Sequence, residues 1–193
     1  MATCPRLSQT AHVVLGLVSI RPAAGHELAA FAQRSVGQIF PITRSHIYTE
    51  LARLRELGLL SATEVVQERL PTKWLYEVTE EGNDVLRTWL EQAPIGHDRQ
   101  RNLFLVRIFF GDRMAPGRLE ELLDEYEAAA RARRDRLSEV VERLAGRPQA
   151  TYRRATAMFG VKREQATIDW VVEARPLLLD AVRAGLAATE SPC

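Results

Sequence analysis

The chain has 193 residues, of which 46% are hydrophobic, with 26 basic and 25 acidic side chains and a formal net charge of +1. That length allows one large domain or two small ones with real apolar cores. The near-neutral balance excludes a simple basic nucleic-acid coat, and two cysteines, Cys4 and Cys193, exclude a disulfide framework.

Gln9 to Ile20 reads as a first helix with Val13, Val14, Leu17 and Ile20 directed inward, stopping before Pro22. His26 to Arg34 reads as a second, with Leu28 and Phe31 inward. In the third, Ile47, Leu51 and Leu54 recur at spacings of four and three, Thr43 or Ser45 can cap the start, and Gly58 ends it. With Ile47 inward, Ser45, Thr49, Ala52, Arg53 and Glu56 point outward and Arg44 and Tyr48 flank them. Short or hydrogen-bonding side chains near a helix start suit a reader of the major groove, and an ordinary solvated helix face has the same pattern.

The residues after Gly58 favour the groove reader. Thr63 to Glu68 and Trp74 to Val78 are rich in β-formers, and the segment between them, Arg69-Leu70-Pro71-Thr72-Lys73, sets a turn-forming proline between two cations. A hairpin with a basic tip directly after such a helix is a wing. Thr79 then caps a closing helix that carries Glu80 and Glu81 in its first turn.

Periodicity lapses at Ala93-Pro94-Ile95-Gly96-His97-Asp98, which divides the chain into modules at about 1–92 and 102–193. In the second module Pro116 opens a helix running to Gly146, with Glu120, Glu121, Asp124 and Glu125 early and Arg131, Arg133, Arg134 and Arg136 later. Its apolar side, from Leu119 to Leu144, needs a partner helix. A second long helix, Thr151 to about Arg183, carries Met158, Phe159, Ile168, Val171, Val172, Leu178 and Leu179, with a kink expected at Pro176. The expected fold is therefore mainly α: an N-terminal winged helix-turn-helix of three helices, a β-hairpin wing and a closing helix, with an all-helical C-terminal dimerisation domain. The other reading of the C-terminal half is a self-contained three-helix bundle in a monomer.

No constellation for catalysis assembles. His26-Glu27-Leu28-Ala29-Ala30 approaches the zinc-protease HExxH pattern but has Ala30 where the second histidine must stand. Neither phosphate-binding glycine motif nor a GxSxG elbow is present. No enzyme activity, metal or cofactor is expected. The longest uncharged run, Leu7 to Ile20, is shorter than the roughly 18 apolar residues of a spanning helix, and no signal peptide is visible, so a cytoplasmic protein without a membrane partner is expected.

Three stretches resemble the PadR family of winged-helix transcriptional regulators. VVLGLVSIRPAAGHELAAF resembles its opening helix, turn and G-Y-E-L; SHIYTELARLRELGLL resembles its S-x-Y-x-x-L-x-x-L-x-x-x-G-L recognition helix; YEVTEEGNDVLRTWL resembles the helix after its wing. The resemblance covers residues 12 to 90, and continues through LFLVRIFF and ATIDWVVEARPLL, which look like the helical C-terminal domain of the virulence-activator-like subfamily. His26 replaces the usual tyrosine, and Pro41-Ile42-Thr43-Arg44 replaces a glycine-containing turn.

The resemblance implies a ligand-responsive repressor that binds a palindromic double-stranded DNA operator as a homodimer. The residues expected at DNA are Ser45, Thr49 and Arg53 in the groove, with Arg44, Tyr48, Arg69, Thr72 and Lys73 at phosphates and in the wing. Some relatives respond to phenolic or multidrug-like compounds, which implies a small aromatic or phenolic effector; Trp89, Phe104 and Trp170, near the module junction, are the candidate contacts, and plain core packing is the competing reading. Residues 43–73 hold five cations against four carboxylates, so affinity for random DNA is expected to be weak. That same balance supports the rival reading, a winged-helix small-molecule sensor or protein-interaction module without DNA binding.

Overall fold

The structure is a computed structural model describing residues 7–66, 73–94 and 102–189. The chain divides into two compact units, Met1–His97 and Asp98–Cys193.

In the first unit, α1 (Gln9–Ile20) starts where the Ser8 hydroxyl accepts the Ala11 N–H at 3.0 Å. Its buried stripe is Ala11, Val14, Leu15, Leu17 and Val18. Ile20, expected inward, is 46% exposed. The Val14–Val18 stripe faces the core, and six residues past Val14 the helix has turned well away from it. Next comes β1 (Ala23–Ala24), followed by α2 (Gly25–Arg34), whose N-cap Ala24 has no side-chain acceptor. Glu27 supplies half of a capping box instead, its carboxylate accepting the Ala24 N–H at 3.3 Å.

Helix α3 (Arg44–Glu56) is capped by Thr43, which accepts the His46 N–H at 3.2 Å. It ends in a Schellman motif. Gly58 takes φ +74°, Leu59 N–H bonds to the Leu54 carbonyl at 2.9 Å, and Gly58 N–H bonds to that of Arg55 at 3.0 Å. A glycine is favoured at that left-handed position because a Cβ would strain it.

The wing strands are β2 (Leu60–Val65) and β3 (Lys73–Val78), antiparallel, with Leu60 opposite Val78 and Val65 opposite Lys73. Strand β2 starts three residues earlier than its β-propensity indicates. Leu59 and Leu60 are buried directly after α3, so packing extends the strand back to the helix end. The sheet order is β1-β3-β2, which makes β3 central; Ala23 and Ala24 pair with Tyr76 and Leu75.

Helix α4 (Glu80–Gln92) is capped by Thr79, whose hydroxyl accepts the Gly82 N–H at 3.1 Å and donates to the Gly58 carbonyl at 2.8 Å. A Cβ at Gly82 would overlap the Leu59 carbonyl oxygen, so glycine lets α4 start directly on the backbone that follows α3. The core common to these elements includes Val14, Leu15, Val18, Leu28, Ile47, Leu51, Leu54 and Leu59.

The second unit contains α5 (Leu103–Phe109), α6 (Pro116–Arg143) and α7 (Thr151–Thr189). Asn102 caps α5 by accepting the Leu105 N–H at 3.2 Å and also donates to the Tyr126 hydroxyl at 3.1 Å. Pro116 opens α6, and Gly146, at φ +69°, lies in the turn after it. Helices α6 and α7 run antiparallel, so the partner that α6 requires is in the same chain. Phe104, Leu119, Leu122, Leu123 and Val171 form their core at the α5 end. Pro176 lies inside α7, which runs on to Thr189.

A polar seam also joins α6 and α7. Glu164 is 3% exposed and accepts Arg133 Nε from α6 at 2.9 Å and Arg163 at 3.0 Å. Further along, Arg175 bridges Asp124 at 2.8 Å and Glu127 at 3.1 Å, and those contacts hold its guanidinium above its ordinary pKa despite burial.

Candidate nucleic-acid interface

Helix α3 buries Ile47, Glu50, Leu51 and Leu54 and exposes Ser45, Thr49, Ala52, Arg53 and Glu56. Thr49 Oγ1 donates to the Ser45 carbonyl at 3.1 Å, which leaves its oxygen free to accept. Arg44 Nη2 donates to the Tyr48 hydroxyl at 3.5 Å, and its guanidinium lies 5.7 Å from that ring's centre. The Tyr48 ring rests on the start of α2, where a Cβ at Gly25 would come within 2.7 Å of Cε1. The ring is thus supported from beneath, with one side open to solvent.

The base of the wing is held on two sides. Arg55 of α3 lies over the Trp74 ring at 4.6 Å, and Lys73 Nζ pairs with Glu27 Oε1 of α2 at 3.2 Å. Lys73, expected as a cation facing DNA, is 27% exposed on its side chain and has an internal partner. Arg69 and Thr72 lie outside the described residues.

The Ala24 N–H first, then Lys73, hold the Glu27 carboxyl below the ordinary glutamate value, against the opposing effect of burial. A lowered carboxyl pKa in the folded state gives stability that is complete above the unfolded value, about 4, and is lost as pH falls through the folded one. Glu27→Gln is therefore expected to be less stable than the parent at neutral pH, with the difference closing on acidification below about pH 4. Urea unfolding followed by circular dichroism across that range tests this; a constant gap would show that the carboxylate charge is not what stabilises.

Sequence reasoning missed the burial of Glu50, although the signal was present. Residues 47, 50, 51 and 54 follow the helical core spacing, which puts Glu50 beside Ile47 and Leu51. The Lys73–Glu27 and Arg55–Trp74 contacts join segments far apart in sequence and left no local signal.

The three candidate effector residues divide between the units. Trp89 of α4 stacks on His12 of α1, with centroids 4.8 Å apart and planes at 14°. In the second unit, Phe104 stacks on Tyr126 at 3.5 Å and meets the edge of Trp170 at 5.9 Å. A separate cavity of 450 Å³ at the α6–α7 turn is lined by Leu144, Arg147, Pro148, Arg154 and Met158 among others, and by none of the three. Among the described residues, no group of three histidine, cysteine or acidic side chains is placed to hold a metal, and no helix is long and apolar enough to cross a membrane.

Three helices with the third exposing a hydrogen-bonding face, a hairpin on that helix, and a capped closing helix define a winged helix-turn-helix unit, here followed by a helical one. Residues 14–88 match the model of the transcriptional regulator PadR-like family, and residues 100–178 match that of the virulence activator alpha C-terminal segment. With both segments matched, the chain belongs to the PadR-like family.

The negative transcriptional regulator PadR of Bacillus subtilis is 23% identical over 99 residues, 51% of this chain and 54% of that one. The chain spans about half the length of the curated relatives it matches. The crystal structure of B. subtilis PadR in complex with operator DNA has a TM-score of 0.79 at 18% identity, covering 87% of this chain and 98% of the other. The same protein in complex with p-coumaric acid gives 0.71 at 17%, covering 86% and 96%. The smu.1604c protein of Streptococcus mutans gives 0.78 at 26%, covering 88% and 99%.

Proposed function

We propose that the chain is a cytoplasmic transcriptional regulator that binds a palindromic operator as a homodimer and represses transcription. The observation that carries this reading is the division of α3 into a buried apolar stripe and an exposed face of Ser45, Thr49 and Arg53. Those three are assigned to base edges; Arg44, Tyr48 and the wing residues Arg69, Thr72 and Lys73 are assigned to the backbone. Because Lys73 shares its charge with Glu27, its contribution to phosphate binding is smaller than that of an unpaired cation.

Pairing is assigned to the second unit. Leu105, Phe109 (81% exposed) and Phe110 on and just after α5, and Phe159, Val172 and Leu177 on α7, are large apolar side chains in water, which supports a covering partner of the same kind. A dimer also doubles the few cations each subunit brings to DNA. A small aromatic effector is assigned to the second unit, at Phe104 and Trp170; the B. subtilis complex with p-coumaric acid supports that class. The near-neutral charge supports the rival, a winged-helix module without DNA binding.

Arg53→Ala and Thr49→Ala are expected to change sequence preference by about 1–3 kcal/mol per lost base contact, whereas Arg44→Ala weakens all duplexes about equally and flattens the salt dependence. Salt-titrated gel shifts on the chain's own promoter region test this. No salt-sensitive shift on any fragment would favour the rival.

A further inference from the structure

A carboxylate on a groove-facing helix repels phosphates, and Glu50 stands one turn before Arg53. It is only 9% exposed. Its Oε1 accepts the Ser8 hydroxyl at 2.7 Å, while the oxygen of that hydroxyl accepts the Ala11 N–H. The anion is therefore held at the N-terminal end of α1, where unpaired N–H groups carry partial positive charge.

Among the described residues the other oxygen, Oε2, is buried without a hydrogen-bond partner. Leaving a buried acceptor unpaired is costly, so such an oxygen marks the place of a partner. The cation of the described residues within ion-pair reach of it is Arg53 Nη1, at 3.8 Å. A small rotation of the arginine side chain closes that gap to a charge-assisted hydrogen bond.

We propose that Glu50 is a positioning residue for DNA reading: anchored by Ser8, it orients the Arg53 guanidinium so that the remaining N–H pair faces a guanine in the major groove. The proposal rests on the reading of Arg53 as a base contact and adds the base it selects. A guanidinium presents five donors in a planar fork, so one part can rest on Glu50 while another meets guanine O6 and N7. Without the carboxylate, a flexible arginine on an exposed helix reaches the nearest phosphates, which carry no sequence information. Glu50 thus trades affinity for random DNA against discrimination.

The test uses the full chain and selection from a pool of randomised duplexes, followed by binding measurements on the selected site and its single-base variants. Arg53→Ala is expected to lose a guanine preference at one position of each half-site. Glu50→Gln, which keeps an acceptor for Ser8 and removes the charge, is expected to lower the same preference about tenfold, within the range of one bidentate base contact. It leaves the other positions unchanged and does not weaken binding to random duplexes. In the Arg53→Ala background Glu50→Gln adds nothing. Ser8→Ala, which loosens the anchor and keeps the charge, acts in the same direction and serves as the second variant if Glu50→Gln does not fold.

Loss of preference at every position, or an equal loss from Glu50→Gln with Arg53 already removed, would make Glu50 a structural residue and overturn the proposal. If Arg53→Ala alters no preference, the base-contact reading itself falls, and the proposal with it; that result is distinct from the first two.

Discussion

Gly82→Ala is expected to destabilise the N-terminal unit by about 2–3 kcal/mol, the upper part of the range for forcing atoms into a filled space. The added Cβ would overlap the Leu59 carbonyl oxygen and come within 3.0 Å of Val78 Cγ1. Neither side can yield cheaply. Leu59 is fixed by its N–H bond to Leu54, and its carbonyl accepts the Thr79 N–H at 3.2 Å, while the Thr79 hydroxyl is tied to Gly58. Relief therefore means moving α4 away and giving up bonds at its cap. Gly16→Ala is the control: among the described residues its Cβ would meet only Leu86 Cδ1, at an ordinary 3.8 Å, in the middle of α1. That variant is expected to be neutral or more stable by up to about 1 kcal/mol. Urea midpoints followed by circular dichroism compare the two, and a Gly82→Ala protein within about 0.5 kcal/mol of the parent would refute the close contact.

In the second unit, Glu164→Ala is expected to cost about 2–4 kcal/mol. Removing one partner of a buried ion pair typically costs about 3–5 kcal/mol because the other charge is stranded. The loss here is smaller because Arg133 and Arg163 remain partly exposed and can rehydrate. The seam has a second signature. Replacing both Arg133 and Glu164 with methionine should recover most of the loss, since an apolar pair of similar volume avoids the desolvation cost of two charges. If the double variant is as unstable as the single one, packing rather than charge holds that part of α6 against α7.

The local devices of the fold were legible because each depends on a few adjacent residues. Gly58 ends α3, Thr43 and Thr79 cap helices, and Ile47, Leu51 and Leu54 set the phase that exposes Ser45, Thr49 and Arg53. What the sequence hid depends on contacts between distant segments. Ala23 and Ala24 have no strand propensity and become β1 only because the edge of β3 is open to them. Lys73 reads as a wing cation until Glu27, on another helix, is brought 3.2 Å away. Glu50 reads as a surface charge because its residue type outweighs its spacing, and the Ser8 hydroxyl that makes its burial tolerable lies at the start of α1, far away in sequence.

The central place of β3 has a consequence for the order in which the N-terminal unit forms. The backbone bonds within each of helices α1, α2 and α3 and within the β2–β3 hairpin join near neighbours, but the pairing of Ala23 with Tyr76 joins residues roughly fifty positions apart, with a loop-closure cost to match. While the chain is being synthesised, the backbone at Ala23 and Ala24 has no strand partner until β3 has emerged, and Gly82 must follow before α4 can seat on Leu59. The middle strand of the sheet is thus the last of its three to arrive, and the edge strand β1 can pair only after it.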